Sequence, residues 1–287
     1  HVHEALGMTE MAGISTITPP GVVAPAGCVG LRLPHSELRI VALDDQGKAG
    51  DRVLPDGEAG MVEFRSPNLF SGFVNPADNL GVLTDDGWLV TGDLGWIDDA
   101  GRLNLSGRAK DLIIRSGHNI DPKVIEDALD AHPAVQLAAA VGAPDAYAGE
   151  VPVAFATLRP GRQVSETELL AFVGARVDEP PARPKRVTVL EQMPVTNVGK
   201  VFKPELRRLA AMAVLSEQIA AIWQAAPPAS DPDAVALPVV GAEGADAIRV
   251  TLAPGTPQAL ADRVAEQVAR LGLKATVTTS EPSSRLP

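Results

Sequence analysis

"GRAKDLIIRSGHNIDPKVIE", residues 107–126, is where one kind of sequence pattern gives way to another. Before it, from about residue 25 to 105, short β-rich runs alternate with turn clusters: ELRIVAL then DDQG, GMVEFRS then PN, GWLVTGDLGWI then DDAG, and GRLNLSG. Runs bounded in this way by Gly, Pro, Asn and Asp predict a compact antiparallel β unit. Inside the stretch, LIIRS predicts a strand. Asp121 then predicts a helix N-cap with Pro122 at the first helical position, and Ile125, Ala128 and Leu129 share one face of that helix.

Working outward toward the C-terminus, VQLAAAVG and VPVAFATL predict two strands. Ser165 with Glu168 forms a capping box that opens a second helix carrying Leu169, Leu170, Phe172 and Val173, and RVTVL predicts the closing strand. The order β-α-β-β-α-β is that of a ferredoxin-like split βαβ domain at about 109–210, so the fold class is α+β. A helix through PELRRLAAMAVLSEQIAAIW leads into QAAPPASDPDAVALP, an Ala/Pro linker. Beyond it, AIRVTLA, a helix from Pro257 to about Leu271, and KATVTTS predict a single βαβ unit. It is too small to stand alone and is expected to dock on the main body or on another chain. The expected divisions are 1–108, 109–215, 216–240 and 241–287, and no repeat of solenoid length is visible.

Composition bounds the class. A chain of 287 residues with 45% hydrophobic and 21% charged residues is globular and holds more than one core. No apolar run approaches the roughly 20 residues needed to span a bilayer, and HVHEALGMTE has no basic start followed by an apolar core. A single cysteine, Cys28, forms no internal disulfide and suits a reducing compartment; the expected location is cytoplasmic. A formal charge of −11 disfavours nucleic acid and anionic lipid as partners while leaving room for a local nucleotide pocket.

Four short segments carry the residue types of a reactive site. In PVTNVGKVFKPEL the Gly-Lys pair is no phosphate-cradling P-loop, because Pro194 stands where the first glycine is required and Val201 replaces the magnesium-holding Ser or Thr. Lys200 is instead carried on a turn ahead of a helix, either as a swinging ammonium or as a solvated surface lysine. In LGMTE, the Thr9 hydroxyl and Glu10 carboxylate suit a magnesium ion riding on nucleotide phosphates, and equally suit an ordinary turn. Asp93, closing VTGD, can accept from a ribose diol, and Arg108 can donate to the same sugar or to a phosphate; both also read as surface charges.

In series, GMTE, WLVTGD, GRAKDLIIRSGHNIDP and PVTNVGK have the order and approximate spacing of the adenylate-forming enzymes. Residues 1 to about 215 resemble the C-terminal part of an acyl-CoA synthetase. The resemblance implies the β-rich end of the large adenylation domain followed by the mobile lid domain. It implies ATP, Mg2+ and CoA as cofactors and a carboxylic acid as substrate. Thr9 and Glu10 match the residues that meet the phosphates and the metal, with Gly7 and Met8 lining the nucleotide cleft. Asp93 matches the ribose-binding aspartate, Arg108 the nucleotide-contacting arginine and Lys110 the hinge. Gly117, His118 and Asn119 match the loop that serves the thioester step, and Lys200 matches the lysine needed for adenylation.

The chain departs from the family pattern at Leu6, where an aromatic residue is usual, and at His118, where many relatives have glutamate. It also has no Ser/Thr/Gly-rich phosphate loop ending in Pro-Lys, so the chain is expected to be a fragment inactive alone. Two further functions stay open: an adenylation domain loading a carrier protein, and a non-catalytic interaction module. A homo-oligomer built through the C-terminal extension is a third expectation.

Overall fold

A computed structural model of the chain describes residues 3–25, 27–226, 237–243 and 247–280. The chain forms two compact units, one of residues 1–112 with 117–123 and the other of residues 113–116 with 124–287.

The first unit is built on eight strands: β1 (Ala5–Met8), β2 (Gly13–Ile17), β3 (Cys28–Arg32), β4 (Glu37–Leu43), β5 (Ala49–Val53), β6 (Gly60–Arg65), β7 (Leu89–Ile97) and β8 (Leu103–Arg108). They lie in the order β1-β2-β3-β8-β7-β6-β4-β5. Neighbours pair antiparallel throughout. The predicted β-runs fall on β4, β6, β7 and β8, whereas β5, with sequence AGDRV, escapes prediction because it is a short, polar edge strand.

Strand β6 is buried on both faces, and its alternation serves two clusters. Val62 and Phe64 join Met11, Ile40, Leu89 and Leu103, while Met61 turns the other way to Val41, Leu94 and Leu112. Its one charge, Glu63, is almost fully buried and is met by Arg39 at 2.6 Å. The Arg39 and Arg65 guanidinium groups also stand over the Trp88 ring, 4.1 and 4.8 Å from its centre, so cation–π contacts tie β4 and β6 to the start of β7.

Two three-residue strands follow, β9 (Ile113–Arg115) and β10 (His118–Ile120), with Ser116 and Gly117 between them at φ of 50° and 83°. Helix α1 (Pro122–Asp130) begins where predicted, and Asp121 Oδ1 accepts the Lys123 backbone N–H at 2.9 Å. Next come β11 (Val135–Asp145), β12 (Gly149–Leu158), α2 (Glu166–Gly174), β13 (Val187–Val189) and α3 (Lys203–Gln224). Ser165 Oγ accepts from the Glu168 N–H at 3.1 Å, capping α2 as the sequence indicates, and Leu169 and Val173 are fully buried.

The element order is that of a split βαβ layout, but the pairing departs from it. In that layout the first strand separates the third from the fourth. Here β9 pairs with β12 only at Gly149↔Arg115, and β13 lies directly beside β12, parallel, from Ala154↔Val187 to Ala156↔Val189. The physical reason is length: a three-residue β9 leaves most of that edge of β12 unpaired, and β13 takes it.

The C-terminal extension also differs from expectation. It has an extra strand, β14 (Val239–Glu243), ahead of β15 (Ala247–Leu252), α4 (Gln258–Arg270) and β16 (Ala275–Thr279), so it is ββαβ rather than βαβ. β14 pairs antiparallel and β16 parallel with β15. The Ala/Pro linker falls largely at 227–236, outside the described residues. The extension docks within its own unit. Ala211, Leu215, Ile219 and Trp223 of α3 form one cluster with Ile248, Val250, Leu252, Leu260, Val264 and Val268. Leu215→Ala is therefore expected to lower unfolding stability by about 3 kcal/mol, the usual range for emptying a closed apolar site. Ser216→Ala on the exposed side should stay within about 0.5 kcal/mol, both measured by urea unfolding of the whole chain.

Candidate active site

The β1 segment that holds Gly7 and Met8 is shaped by its neighbour. A side chain at Gly7 would meet the Gly13 carbonyl oxygen at 2.7 Å, so glycine is needed for the close approach of β2. Leu6 and Met8 point the other way and pack on the cluster around Met11 and Phe64, so Leu6 supplies core contact. Thr9–Met11 forms a single 3-10 turn, closed by the Ala12 N–H donating to the Thr9 carbonyl at 3.0 Å. The turn is pinned by Phe70, whose N–H donates to the Glu10 carbonyl at 2.8 Å, and by Asn68 Nδ2 donating to the Met11 carbonyl at 2.7 Å. On the turn itself these bonds use backbone atoms only. Thr9 is exposed and Glu10 half-buried.

Asp93 owes its position to a bulge. Met61 pairs with Leu94 and Glu63 with Val90, so Thr91, Gly92 and Asp93 all stand opposite the single residue Val62. Gly92 takes φ of 75°, which a residue with a side chain adopts only under strain. Thr91 fixes the bulge by donating its hydroxyl to the Val62 carbonyl at 2.8 Å and accepting from the Asp93 N–H at 3.0 Å.

On the other side, Asp93 is in register with Arg108 of β8, whose Nε donates to Asp93 Oδ1 at 2.9 Å. The Asp93 carboxylate is 6% exposed and the arginine 56% exposed, so one partner is rooted in the sheet and the other reaches into solvent. Burial pushes the Asp93 carboxyl above its ordinary value, while the charge and hydrogen bond of Arg108 and the charge of Lys110 pull it back down.

Lys110 sits in the 3-10 turn Ala109–Asp111 that follows β8, an exposed residue on the rim of a cavity of about 910 Å3 whose lining also includes Arg39, Lys48, Glu63 and Asp86. Gly117 and His118 are exposed. Asn119 is held by its side chain: Nδ2 donates to the Asp44 carbonyl at 3.1 Å, and Oδ1 is buried with no hydrogen-bond partner among the described residues. Spacing carried no signal for that contact, because the two residues lie 75 positions apart.

Lys200 belongs to the second unit and so stands apart from the other proposed residues in the chain's division. It closes a tight hairpin. The Thr196 N–H donates to the Lys200 carbonyl at 2.7 Å, the Gly199 N–H to the Thr196 carbonyl at 2.8 Å, and the Lys200 N–H to Thr196 Oγ1 at 3.2 Å. Phe202 N–H donates to the Pro194 carbonyl at 2.8 Å below it. Lys203, at the first turn of α3, makes an ion pair of 2.8 Å with Glu126, whose Oε1 also accepts the Ala140 N–H at 2.9 Å. The backbone under Lys200 is thus braced while its side chain is exposed.

Among the described residues no group of three or more His, Cys, Asp or Glu side chains could hold a metal ion. A single carboxylate such as Glu10 fits a hard cation whose other ligands are phosphate oxygens and water.

The Asp93–Arg108 pair has a direct test. Because the folded carboxyl titrates above its unfolded value of about 3.9, its ionisation opposes folding. That cost is absent at pH below the unfolded value, grows as pH rises through it, and is complete above the folded value. Arg108→Met removes the counter-charge. It is expected to move the Asp93 titration further up in carboxyl-carbon NMR and to reduce stability more at pH 7 than at pH 4. The loss should be smaller than the about 3–5 kcal/mol of a fully buried pair, since the arginine is half in water.

The family of the AMP-binding enzyme C-terminal domain matches residues 124–200. Marinolic acid–CoA ligase of Pseudoalteromonas sp. (strain SANK 73390) is 40% identical over 219 residues, 76% of this chain and 33% of that protein. A long-chain-fatty-acid–CoA ligase of Salmonella typhimurium is 34% identical over 71% of this chain and 35% of its own length. Among solved structures, ATP-bound MatB from Rhodopseudomonas palustris aligns with a TM-score of 0.66 at 33% identity, covering 72% of this chain and 40% of that one. The chain spans about a third of the length of these curated relatives. No helix among the described residues is long and apolar enough to cross a membrane. Both the 124–200 match and the longer alignments converge on one assignment: this chain belongs to the adenylate-forming superfamily and carries its C-terminal domain at residues 124–200.

Proposed function

We propose that the chain is the C-terminal part of an ATP-dependent ligase that activates a carboxylic acid as acyl-AMP and passes the acyl group to the CoA thiol. The observation that carries the reading is the division of its charged residues. Asp93 and Arg108 are locked together on the first unit, while Lys200 is presented on a braced hairpin of the second.

In the first step a carboxylate oxygen attacks the α-phosphorus of ATP and the bond to pyrophosphate breaks. Both reactants are anions, so Lys200 bridging them lowers the barrier electrostatically. A compact ammonium suits this task. Asp93 accepts from the ribose diol, and Arg108 holds Asp93 ionised while its exposed end reaches the nucleotide. Thr9 and Glu10 serve the phosphates beside Gly7 and Met8, and Glu10 would hold a magnesium ion there through the phosphates, which when bound would supply positive charge to the departing pyrophosphate.

In the second step the thiol sulfur attacks the acyl carbon and AMP leaves. The ammonium is no longer wanted. Rotation about Lys110 withdraws Lys200 and, once Asn119 lets go of the Asp44 carbonyl on the first unit, carries the loop at Gly117, His118 and Asn119 to the cleft, so that one cleft serves both reactions.

Pyrophosphate exchange across a panel of carboxylic acids, followed by detection of a CoA thioester, tests the reaction and finds the acid. In the complete enzyme, Lys200→Ala should slow adenylation by about 100-fold or more, the scale of losing one transition-state charge contact. It should leave thioester formation from presynthesised acyl-adenylate near the wild-type rate. Equal loss in both steps would contradict the role given to Lys200.

A further inference from the structure

Two neighbouring stretches of chain are tied to different bodies. Residues 114–116 belong to the second unit, and each is bonded within it. The Ile114 N–H donates to Glu150 Oε2 at 3.0 Å, the Arg115 guanidinium to the Pro181 carbonyl at 2.7 Å, and the Ser116 N–H to the Ala148 carbonyl at 2.8 Å. Residues 117–123 belong to the first unit, where the Asn119 side chain reaches the Asp44 carbonyl. Asp44 closes the turn between β4 and β5. Its carbonyl also accepts the Gly47 N–H at 3.0 Å, and its Oδ1 accepts the N–H groups of Gln46 and Lys48, both at 2.8 Å, so the acceptor that meets Asn119 is fixed in place.

The bond is weaker than it could be. An amide facing a carbonyl must present its NH2, which turns Oδ1 of Asn119 the other way, to a place where it is buried without a partner among the described residues. One hydrogen bond is gained and the hydration of one oxygen is forfeited, so the hold is less than that of a fully paired amide. The turn also lies away from Asp93. Val41, Met61 and Leu94 are in register across β4, β6 and β7, and Asp44 and Asp93 fall on opposite sides of that row. Two strand spacings across and four residues along separate them by roughly 15 Å.

We infer that the contact of Asn119 with the Asp44 turn is a release latch. It parks the loop of residues 117–119 away from Asp93 while the acid is adenylated, and its limited strength lets the loop leave in every turnover. The inference deepens the reaction proposed above and rests on it, since only there does the loop have a second place to go. Asp44 acts as a positioning residue: it touches no reacting atom and sets how often the loop is free. Residues 114–116 keep their bonds within the second unit throughout, so the bond that must break is the one from Asn119.

The test has two arms. In the whole 287-residue chain, Asn119→Asp sets a carboxylate oxygen against the carbonyl at unchanged size, and Asp44→Ala removes the side chain that braces the turn. Amide hydrogen exchange at residues 117–119 is expected to quicken by about threefold or more in either variant, the scale of one modest hydrogen bond, while exchange in β11 and β12 keeps its wild-type rate. In the complete enzyme, Asp44→Ala leaves the loop's own residues intact. It should slow pyrophosphate exchange and speed thioester formation from presynthesised acyl-adenylate, each by about threefold, and Asp44→Asn, which can still brace the turn, should restore both rates. A merely structural defect would lower both steps together. Unchanged exchange at 117–119 in both variants, or quickened exchange with the two rates unmoved or falling together, overturns the latch. A wild-type enzyme that forms no CoA thioester overturns the proposed reaction and with it the loop's second place, even where the exchange arm succeeds.

Discussion

Helix α3 holds two sheets at once. Leu206 and Ala210, near its start, face the sheet of β11 and β12 with Val141, Val153 and Phe155. Leu215, Ile219 and Trp223, farther along, face β15 and α4. At 100° per residue these two sets point in nearly opposite directions, so the helix is apolar on more than one side and is buried as such helices are. The C-terminal extension therefore shares its core with the second half of α3. Remove that helix and three short strands with one helix have too little apolar surface to fold.

This arrangement explains which parts of the fold were legible. The β-rich runs ELRIVAL and GMVEFRS are marked by their own residues and the turn residues that bound them, and the Asp121 and Ser165 caps depend on neighbours two or three apart; all are local and all read correctly. Pairing of β13 beside β12 was hidden because it depends on how little of an edge the distant β9 occupies. Strand β14 was hidden because VVGAE is short and small-residue, and becomes a strand only by pairing with β15. Helix α3 itself was plain, but no pattern of one amphipathic stripe could announce a second sheet on the far side.

The candidate site divides in the same way. Asp93 and Arg108 were each singled out within short segments, yet their pairing depends on strand register across 15 positions, and the bulge that aims Asp93 depends on a glycine inside a predicted strand. The signal for that bulge was present. A glycine between Thr91 and Asp93 in an otherwise β-branched and apolar run marks a break in regular pairing. Asn119 carried no such mark, since its partner is a backbone carbonyl far along the chain.

The braced hairpin under Lys200 bears on how the proposed chemistry would be timed. A lysine on a loose loop would search for the cleft by its own side-chain and loop motion, and an ammonium that arrives in this way also lingers. Here the Thr196–Lys200 hydrogen bonds, the Phe202–Pro194 bond and the Lys203–Glu126 ion pair make the backbone continuous with α3 and α1. Presentation and withdrawal of the charge then become properties of the whole unit, extension included, because α3 binds that extension too. The chain passes between the two compact units at residues 112–113, 116–117 and 123–124, a short stretch just after Lys110, and in the proposed reaction that stretch sets the timing.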